Sequence, residues 1–342
     1  MRCIAMLGVL VVVGCSSPGG GPDARSNDPP SHRKRLASVE VVVYTNVANT
    51  PPVSGVLVAF VDPDGYGEIV VTGADGIARG QVVVGGSVTA LTPLTPDNPP
   101  YLTTVLGVQN GDHIALGAPS LIQPDPPTNT PTCTEATVDA TYKHVDPTRV
   151  SRIFVQRTIY GGNSVVNGSA LTVDPTTNIS VTGAGAARAY MNTSIQGPNP
   201  GDQQQVFEAI DGCATSYQLD VKHNLLPWVG VPSLDAEQGI VHIPMDGEGG
   251  GDFLDVYISY HHDGDAVNWR IASPHAGDVY LPPLPGELAS LQPVVGDALS
   301  IASAMIVDDA WVHGYDHARE KAFVRTFEPV ERLRTSYRAM LF

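Results

Sequence analysis

The chain has 342 residues, of which 42% are apolar and 16% are charged, and its formal net charge is −16 at pH 7. This length predicts two or three compact units rather than one core, and the apolar content excludes a disordered polymer. The acidic balance disfavours binding to nucleic acid and to anionic lipid head groups.

The first fifteen residues have the layout of a bacterial export signal. Arg2 precedes an apolar run over residues 4–13, and residues 12–15 read Val-Val-Gly-Cys. A run of this length spans only about 15 Å of helix, half of a hydrocarbon core, which disfavours a permanent transmembrane helix. The Val-Val-Gly-Cys sequence resembles the lipobox of bacterial lipoproteins, and the resemblance implies cleavage after Gly14 and lipidation of Cys15.

We therefore expect residues 1–14 to be a lipoprotein signal peptide. Acyl chains such as palmitate on Cys15 would anchor the protein in the cell envelope, at the outer membrane on its periplasmic or cell-surface side, because each buried methylene contributes about 0.8 kcal/mol. Cleavage as an ordinary secretory peptide near Ser17 is the alternative. Residues 15–37 are rich in Gly, Pro and Ser and lack apolar periodicity, which predicts a disordered tether.

Residues 38–120 alternate short Val-rich runs with turn residues, a pattern that predicts a β-sandwich. Asp62, Asp64 and Gly65 fall between two of these runs and indicate a tight turn. A calcium loop is the alternative, disfavoured because Gly73 stands where a bidentate Glu is needed. The expected strands are Val39–Thr45, Gly55–Val61, Glu68–Thr72, Ile77–Val84, Val88–Leu91, Leu102–Val108 and His113–Leu116.

Three segments of this region, residues 54–60, 72–78 and 85–90, resemble carboxypeptidase regulatory-like and bacterial Ig-like domains. The central Asp75-Gly76 with flanking apolar alternation carries the resemblance. It implies an Ig-like or transthyretin-like sandwich that acts as a scaffold or adhesion module without catalytic residues. Ser87 stands where an aromatic residue often occurs, which leaves open which of the two families is nearer.

The remainder of the chain predicts a Pro-rich linker over residues 121–134, a second β-rich domain over 135–232 and a third over 233–342. The sequence His262-Asp263-Gly264-Asp265 predicts the turn of a hairpin. The expected strands are Arg152–Thr158, Ala170–Val173, Ile179–Thr182, Ala187–Asn192, Gln204–Ala209, Ser216–Val221, Phe253–His261, Val267–Ile271 and Ala298–Val307. The expected fold class is therefore all-β, with tandem sandwiches after a signal peptide and a disordered tether.

Cys133 and Cys213 are the two cysteines beyond the leader. In an oxidising envelope compartment two such thiols are expected to form a disulfide bond. Two buried, unpaired thiols are the alternative.

The sequence lacks the motifs whose spacing enforces a catalytic mechanism, such as Gly-x-Ser-x-Gly, His-Glu-x-x-His, Cys-x-x-Cys and the phosphate-binding Gly-rich loop. We therefore expect no catalytic residues, no cofactor and no enzymatic activity. His313 and His317, near several aspartates, are weak candidates for metal ligands, because the Glu of the zincin pattern is missing. His261 and His262 are also close to aspartates, but adjacent residues of a strand point to opposite faces.

These patterns together predict a non-catalytic, lipid-anchored envelope lipoprotein, tethered to the membrane through Cys15. Its sandwich modules would serve structural presentation or the binding of a protein or glycan by exposed loops and strands, and nucleic acid is not an expected partner. The rival hypothesis is a lipid-anchored, metal-dependent hydrolase that uses His313 and His317. An accessory subunit of a larger envelope assembly is a third possibility.

Overall fold

The computed structural model describes residues 35–44, 51–92, 99–117, 136–159, 165–170, 174–183, 188–247, 250–274, 277–310, 312, 314–320 and 332–341. Residues 35–342 form one compact unit. Its regular structure is almost entirely β-strand, so the predicted all-β class is confirmed. Within the described residues, no helix is long and apolar enough to cross a membrane.

The first sandwich consists of seven strands in two sheets. The larger sheet has the order β3-β2-β5-β6, and the smaller has the order β4-β1-β7, with β1 and β7 parallel and all other neighbours antiparallel. The strands are β1 Leu36–Val43, β2 Leu57–Val61, β3 Gly67–Val71, β4 Ile77–Val83, β5 Ser87–Thr92, β6 Tyr101–Leu106 and β7 His113–Leu116. All seven predicted strands of this region are therefore present, with ends shifted by a few residues.

The second sandwich repeats this strand order. Its sheets are β10-β9-β12-β13 and β11-β8-β14, and β8 and β14 are parallel, as β1 and β7 are in the first sandwich. The strands are β8 Ala136–Lys143, β9 Arg152–Ile159, β10 Val165–Ala170, β11 Thr176–Gly183, β12 Arg188–Gln196, β13 Gln203–Asp211 and β14 Ser216–Asp220, followed by helix α1 Val221–Asn224. Each strand of the second sandwich thus corresponds to the strand seven places earlier.

The third unit has a four-stranded sheet with the order β23-β22-β19-β20 and two small sheets, β16-β17-β21 and β15-β18. A 3-10 helix spans Gly286–Leu291, and helix α2 spans Tyr315–Ala318. The strands are β15 Trp228–Val229, β16 Ser233–Asp235, β17 Ile240–His242, β18 Met245–Asp246, β19 Phe253–His262, β20 Asp265–Ser273, β21 Asp278–Tyr280, β22 Ala298–Asp309 and β23 Arg332–Leu341. The predicted hairpin is confirmed: β19 pairs with β20 through the two-residue turn Asp263-Gly264, and both turn residues have positive φ.

The larger sheets of the three units join into one sheet of twelve strands. Strand β20 pairs in parallel with β6 of the first sandwich, and β23 pairs antiparallel with β13 of the second. Strands β6 and β13 hold equivalent places in the two sandwiches. The third unit therefore connects the sandwiches by main-chain hydrogen bonds on both of its sides.

Burial on both faces of the shared sheet explains why apolar and polar residues do not alternate along its inner strands. In β2, Val58 and Phe60 belong to the core of the first sandwich, whereas Ala59 and Val61 belong to the core of the third unit. Strand β4 of the opposing sheet accommodates the Phe60 ring because Gly80 has no side chain; an added Cβ would lie 2.6 Å from that ring. Strands buried on both faces read as continuous apolar runs.

Candidate functional site

Two adjoining clefts lie between the second sandwich and the third unit, with volumes of about 450 and 470 Å³. Arg149 and Asp246 border both clefts and form an exposed ion pair of 3.1 Å. We refer to the two clefts together as the groove. Its first cleft is bordered by His144 and Lys222, and its second by Asn199, Asp202 and Trp228. Loops that a rigid sheet positions in this way are frequent binding sites.

A cluster of His144, Asp220 and His223 adjoins the first cleft, which His144 borders. Nδ1 of His144 is 2.9 Å from Oδ2 of Asp220, and Nδ1 of His223 is 2.8 Å from the same oxygen. The two imidazole rings are nearly perpendicular, with an interplanar angle of 84°. The described residues contain this one group of three or more His, Cys, Asp or Glu whose ligand atoms all lie within 4.8 Å of one another. We call it the His144 cluster.

The fold brings the His144 cluster together through two parallel strands. Because β8 and β14 run in the same direction, with Lys143 paired to Asp220, both end at the same side of the small sheet. His144 follows β8 directly, and Asp220 is the N-cap of α1, with its side chain accepting from the main-chain nitrogen of His223 at 3.4 Å. The cluster therefore joins two segments that are distant in sequence, the end of β8 and the junction of β14 with α1.

The electrostatics of the cluster favour an ionised carboxylate. Hydrogen bonding from His223, and then from His144, outweighs the opposing effect of desolvation and lowers the pKa of Asp220 to about 2. Two imidazole nitrogens and one carboxylate oxygen are ligands of the kind that zinc and other divalent transition ions accept in proteins. The three side chains can therefore bind a cation, because the Asp220 carboxylate stays ionised over the physiological pH range.

The described part of the chain does not show the predicted metal ligands His313 and His317 side by side. His313 lies outside the described residues, and His317 is exposed in α2. Two nearby carboxylates have arginine partners: Asp308 accepts from Arg334 at 2.5 Å, and Asp316 accepts from Arg319. The pairing of His313 with His317 stays a prediction.

The two adjacent histidines of the β19–β20 hairpin have different surroundings. His261 is exposed, whereas His262 is partly buried, with Nδ1 3.0 Å from Oδ2 of Asp297. Asp297 also accepts from the main-chain nitrogen of Val294 at 2.8 Å, so this contact connects the hairpin tip to the segment before β22. The described contacts of His262 therefore serve the fold.

The residues predicted for covalent roles lie mostly outside the described part of the chain. Cys15 and Cys133 are both outside it. Cys213 lies in the turn after β13, where its main-chain nitrogen donates to Asp211 at 2.8 Å, and its sulfur is disulfide-bonded. Lipidation of Cys15 and pairing of Cys213 with Cys133 stay predictions.

His144, Asp220 and His223 are not among the site residues predicted from the sequence. The two histidines are separated by 79 positions, and neither belongs to a ligand motif. The one usable indication would have been the register of β8 against β14, but β8 was not among the predicted strands. Without that pairing, nothing in the sequence places these residues side by side.

Comparisons with known proteins provide no family for this chain. No protein-family model matches the sequence, and no curated protein matches it. Among solved structures, the Bacillus anthracis TIE protein is 10% identical, with a TM-score of 0.19 over 79% of this chain and 44% of that chain. BcpA, the major pilin subunit of Bacillus cereus, is 8% identical, with a TM-score of 0.18 over 88% of this chain and 95% of that chain.

This chain thus spans less than half the length of the TIE protein. TM-scores this low mean that the chains do not superpose as wholes. Neither likeness bears on what this chain does.

Proposed function

We propose that this chain is a non-catalytic envelope lipoprotein, anchored by lipid on Cys15, whose β-framework rigidly presents the groove to a protein or glycan ligand. The observation that carries the proposal is the twelve-stranded sheet that runs through all three units. Modules joined only by flexible linkers reorient freely. Modules joined by continuous main-chain hydrogen bonds keep a fixed geometry, which suits a spacer or a presenting scaffold.

Buried side chains support the continuity of the sheet at the junction of the first sandwich with the third unit. Trp269 in β20 is fully buried, and its Nε1 donates to Oγ1 of Thr104 in β6 at 2.8 Å. The hydroxyl of Tyr315 is within hydrogen-bond distance of two main-chain oxygens at this junction, 2.7 Å from that of Leu106 and 3.0 Å from that of Ala272. The junction therefore has a buried, hydrogen-bonded interior.

The junction with the second sandwich has equivalent support. The buried amide of Gln204 in β13 donates to the main-chain oxygen of Leu226 at 2.7 Å and accepts from the nitrogen of Leu226 at 2.9 Å. Arg338 in β23 donates to Asp202 at 2.7 Å, and both side chains are largely buried. These contacts fix the walls of the groove, since Asp202 and Leu226 both border it.

Trp228 in the second cleft supports ligand binding there. Its side chain is 6% exposed, and no partner for its indole nitrogen lies among the described residues. Aromatic side chains that line clefts are frequent contact residues for bound ligands.

Equilibrium unfolding of the mature protein in urea tests the rigid framework. We expect one cooperative transition, seen identically by tryptophan fluorescence and far-UV circular dichroism, because the three units share one sheet. The slope of the transition should correspond to the whole of residues 35–342, since that slope scales with the surface exposed on unfolding. Two or three separate transitions would contradict the proposal.

The lipid anchor is tested by mass spectrometry of the mature N-terminus after expression in a Gram-negative host. We expect an acylated Cys15 as the first residue and a protein in the membrane fraction. Cys15→Ala should abolish acylation and membrane association. Cys3→Ala, in the same leader, is the matched control and should change neither. A mature chain that retains Met1 without modification would contradict the anchor.

A further inference from the structure

In the His144 cluster two imidazole rings contact one carboxylate, whereas a surface ion pair needs only one base and one acid. Both Nδ1 atoms approach the same oxygen of Asp220, at 2.9 and 2.8 Å, rather than one oxygen each. Three donors around one ion at about 2.0–2.2 Å lie about 3.0–3.5 Å apart. The two nitrogen–oxygen separations are already close to that range, so a small outward movement of exposed side chains would admit an ion.

The backbone at His144 is held in a conformation that side chains rarely adopt. Its φ is 53°, in the left-handed region, where a residue with a Cβ pays on the order of 1 kcal/mol. Among the described residues other than glycine, Asp263 in the hairpin turn is the second with positive φ. The tight hairpin turn accounts for the positive φ of Asp263. At His144 the same conformation places the imidazole beside Asp220.

The first sandwich shows that the fold does not require this cluster. Its equivalent strands β1 and β7 are also parallel, and Val43 pairs with Leu116 where Lys143 pairs with Asp220. Tyr44 therefore stands at the place of His144, and Leu116 at the place of Asp220. This corner closes with neither a histidine nor a carboxylate and without positive φ at Tyr44. The ligand set is thus a property of the second sandwich alone.

We infer that His144, Asp220 and His223 bind a divalent transition-metal ion, with zinc as the natural occupant. The two imidazoles and one carboxylate supply three protein ligands, and exposure of both histidines leaves further positions to water or to a group of a bound partner. The ion would connect the ends of β8 and β14 with α1 beside the groove. The inference rests on this geometry and does not depend on the lipid anchor.

Zinc titration of the mature protein without a histidine tag tests the inference. At a pH of about 7.5, where free imidazole is mostly neutral, calorimetry should show saturable binding of one zinc ion per chain. The substitutions His223→Ala and Asp220→Asn should each weaken binding about tenfold or more. His144→Asn should do the same while keeping the left-handed backbone, which Asn tolerates. Circular dichroism without zinc verifies that each variant is folded.

Two histidines elsewhere are the matched controls. His242 is exposed and has a single carboxylate neighbour, Asp278, at 3.1 Å; His242→Ala should bind zinc as the unaltered protein does. His317→Ala should also leave binding unchanged. Absence of saturable binding at one equivalent, unchanged binding in the three cluster variants, or loss of binding in His317→Ala would each overturn the inference.

Discussion

Arg319 and Asp112, 207 positions apart, form a buried bidentate ion pair. The guanidinium donates through Nε to Oδ2 at 2.6 Å and through Nη2 to Oδ1 at 2.8 Å, and both side chains are less than a tenth exposed. Asp112 precedes β7 in the first sandwich, and Arg319 follows α2 in the third unit. The pair therefore adds a buried ionic contact between these units to those of the shared sheet.

Removing one partner of this pair should destabilise the whole protein. We expect Arg319→Met to lower the free energy of unfolding in urea by about 3 kcal/mol, because it leaves the Asp112 carboxylate buried without its cation. Arg79→Ala is the control: Arg79 pairs with Glu40 at 3.0 Å on the exposed surface and should change the free energy by less than about 1 kcal/mol. Equal effects of the two substitutions would contradict the role given to burial.

Gln204 should stabilise the junction between the second sandwich and the third unit as strongly as Arg319 stabilises the other junction. Gln204→Leu leaves both the main-chain oxygen and nitrogen of Leu226 without their buried partners, so we expect a loss of about 3 kcal/mol in urea unfolding. Gln205→Leu, on the opposite face of the same strand and only partly buried, should cost less than about 1 kcal/mol. If Gln204→Leu lost no more free energy of unfolding than Gln205→Leu, the main-chain groups of Leu226 would have found other partners.

The predicted disulfide can be tested at Cys213. Cys213→Ser should lower the free energy of unfolding by roughly 4 kcal/mol, because a bond between Cys133 and Cys213 closes a loop of about 80 residues in the unfolded chain. The same loss should follow reduction of the unaltered protein, and mass spectrometry of unreduced peptides should identify the pair. A free thiol at Cys133 in the oxidised protein would rule the pairing out.

Alkaline pH should destabilise the fold through buried tyrosines. Burial is the main cause that raises the pKa above the ordinary value near 10 for Tyr101, Tyr142, Tyr217, Tyr257, Tyr260 and Tyr315. Above pH 10 the unfolded chain loses these protons before the folded chain does. The stabilising contribution is thus complete below pH 10 and decreases as the pH rises further.

Absorbance at 295 nm measures this titration. We expect part of the tyrosine signal to appear only together with the loss of far-UV circular dichroism, since these six side chains ionise when the protein unfolds. If all the tyrosine absorbance developed near pH 10 while the circular dichroism stayed native, the burial argument would be wrong.

The strands that the sequence predicted are those with β-branched runs or clear alternation. Strand β8 is absent from the predicted strands because Asp139, Ala140 and Lys143 are poor strand formers that interrupt the pattern of Val138 and Tyr142, which are fully buried. Strand β23 is absent from the predicted strands because three arginines interrupt its apolar pattern. The structure pairs Arg334 with Asp308 and Arg338 with Asp202, which neutralises those charges inside the sheet.

The connection of the three units was beyond local sequence patterns. Residues 36–116 contain all seven strands of the first sandwich, but no pattern within them predicts that β6 pairs with β20, more than 150 positions later. The weak alternation of β2, β5 and β6 was the available hint, since strands buried on both faces need a second covering layer. The predicted domain boundaries at residues 120, 134 and 232 stay predictions.

The repeated strand order also determines where the large sheet stops. Its outermost strands are β3 and β10, which hold the same position in the two sandwiches. Outermost strands expose unpaired amide and carbonyl groups that can template aggregation with another chain. Here both are short, β3 begins with Gly67 and Glu68, and β10 contains Asn167 and Gly168, all of them poor strand formers. The duplication thus gives the large sheet two ends that both discourage self-association.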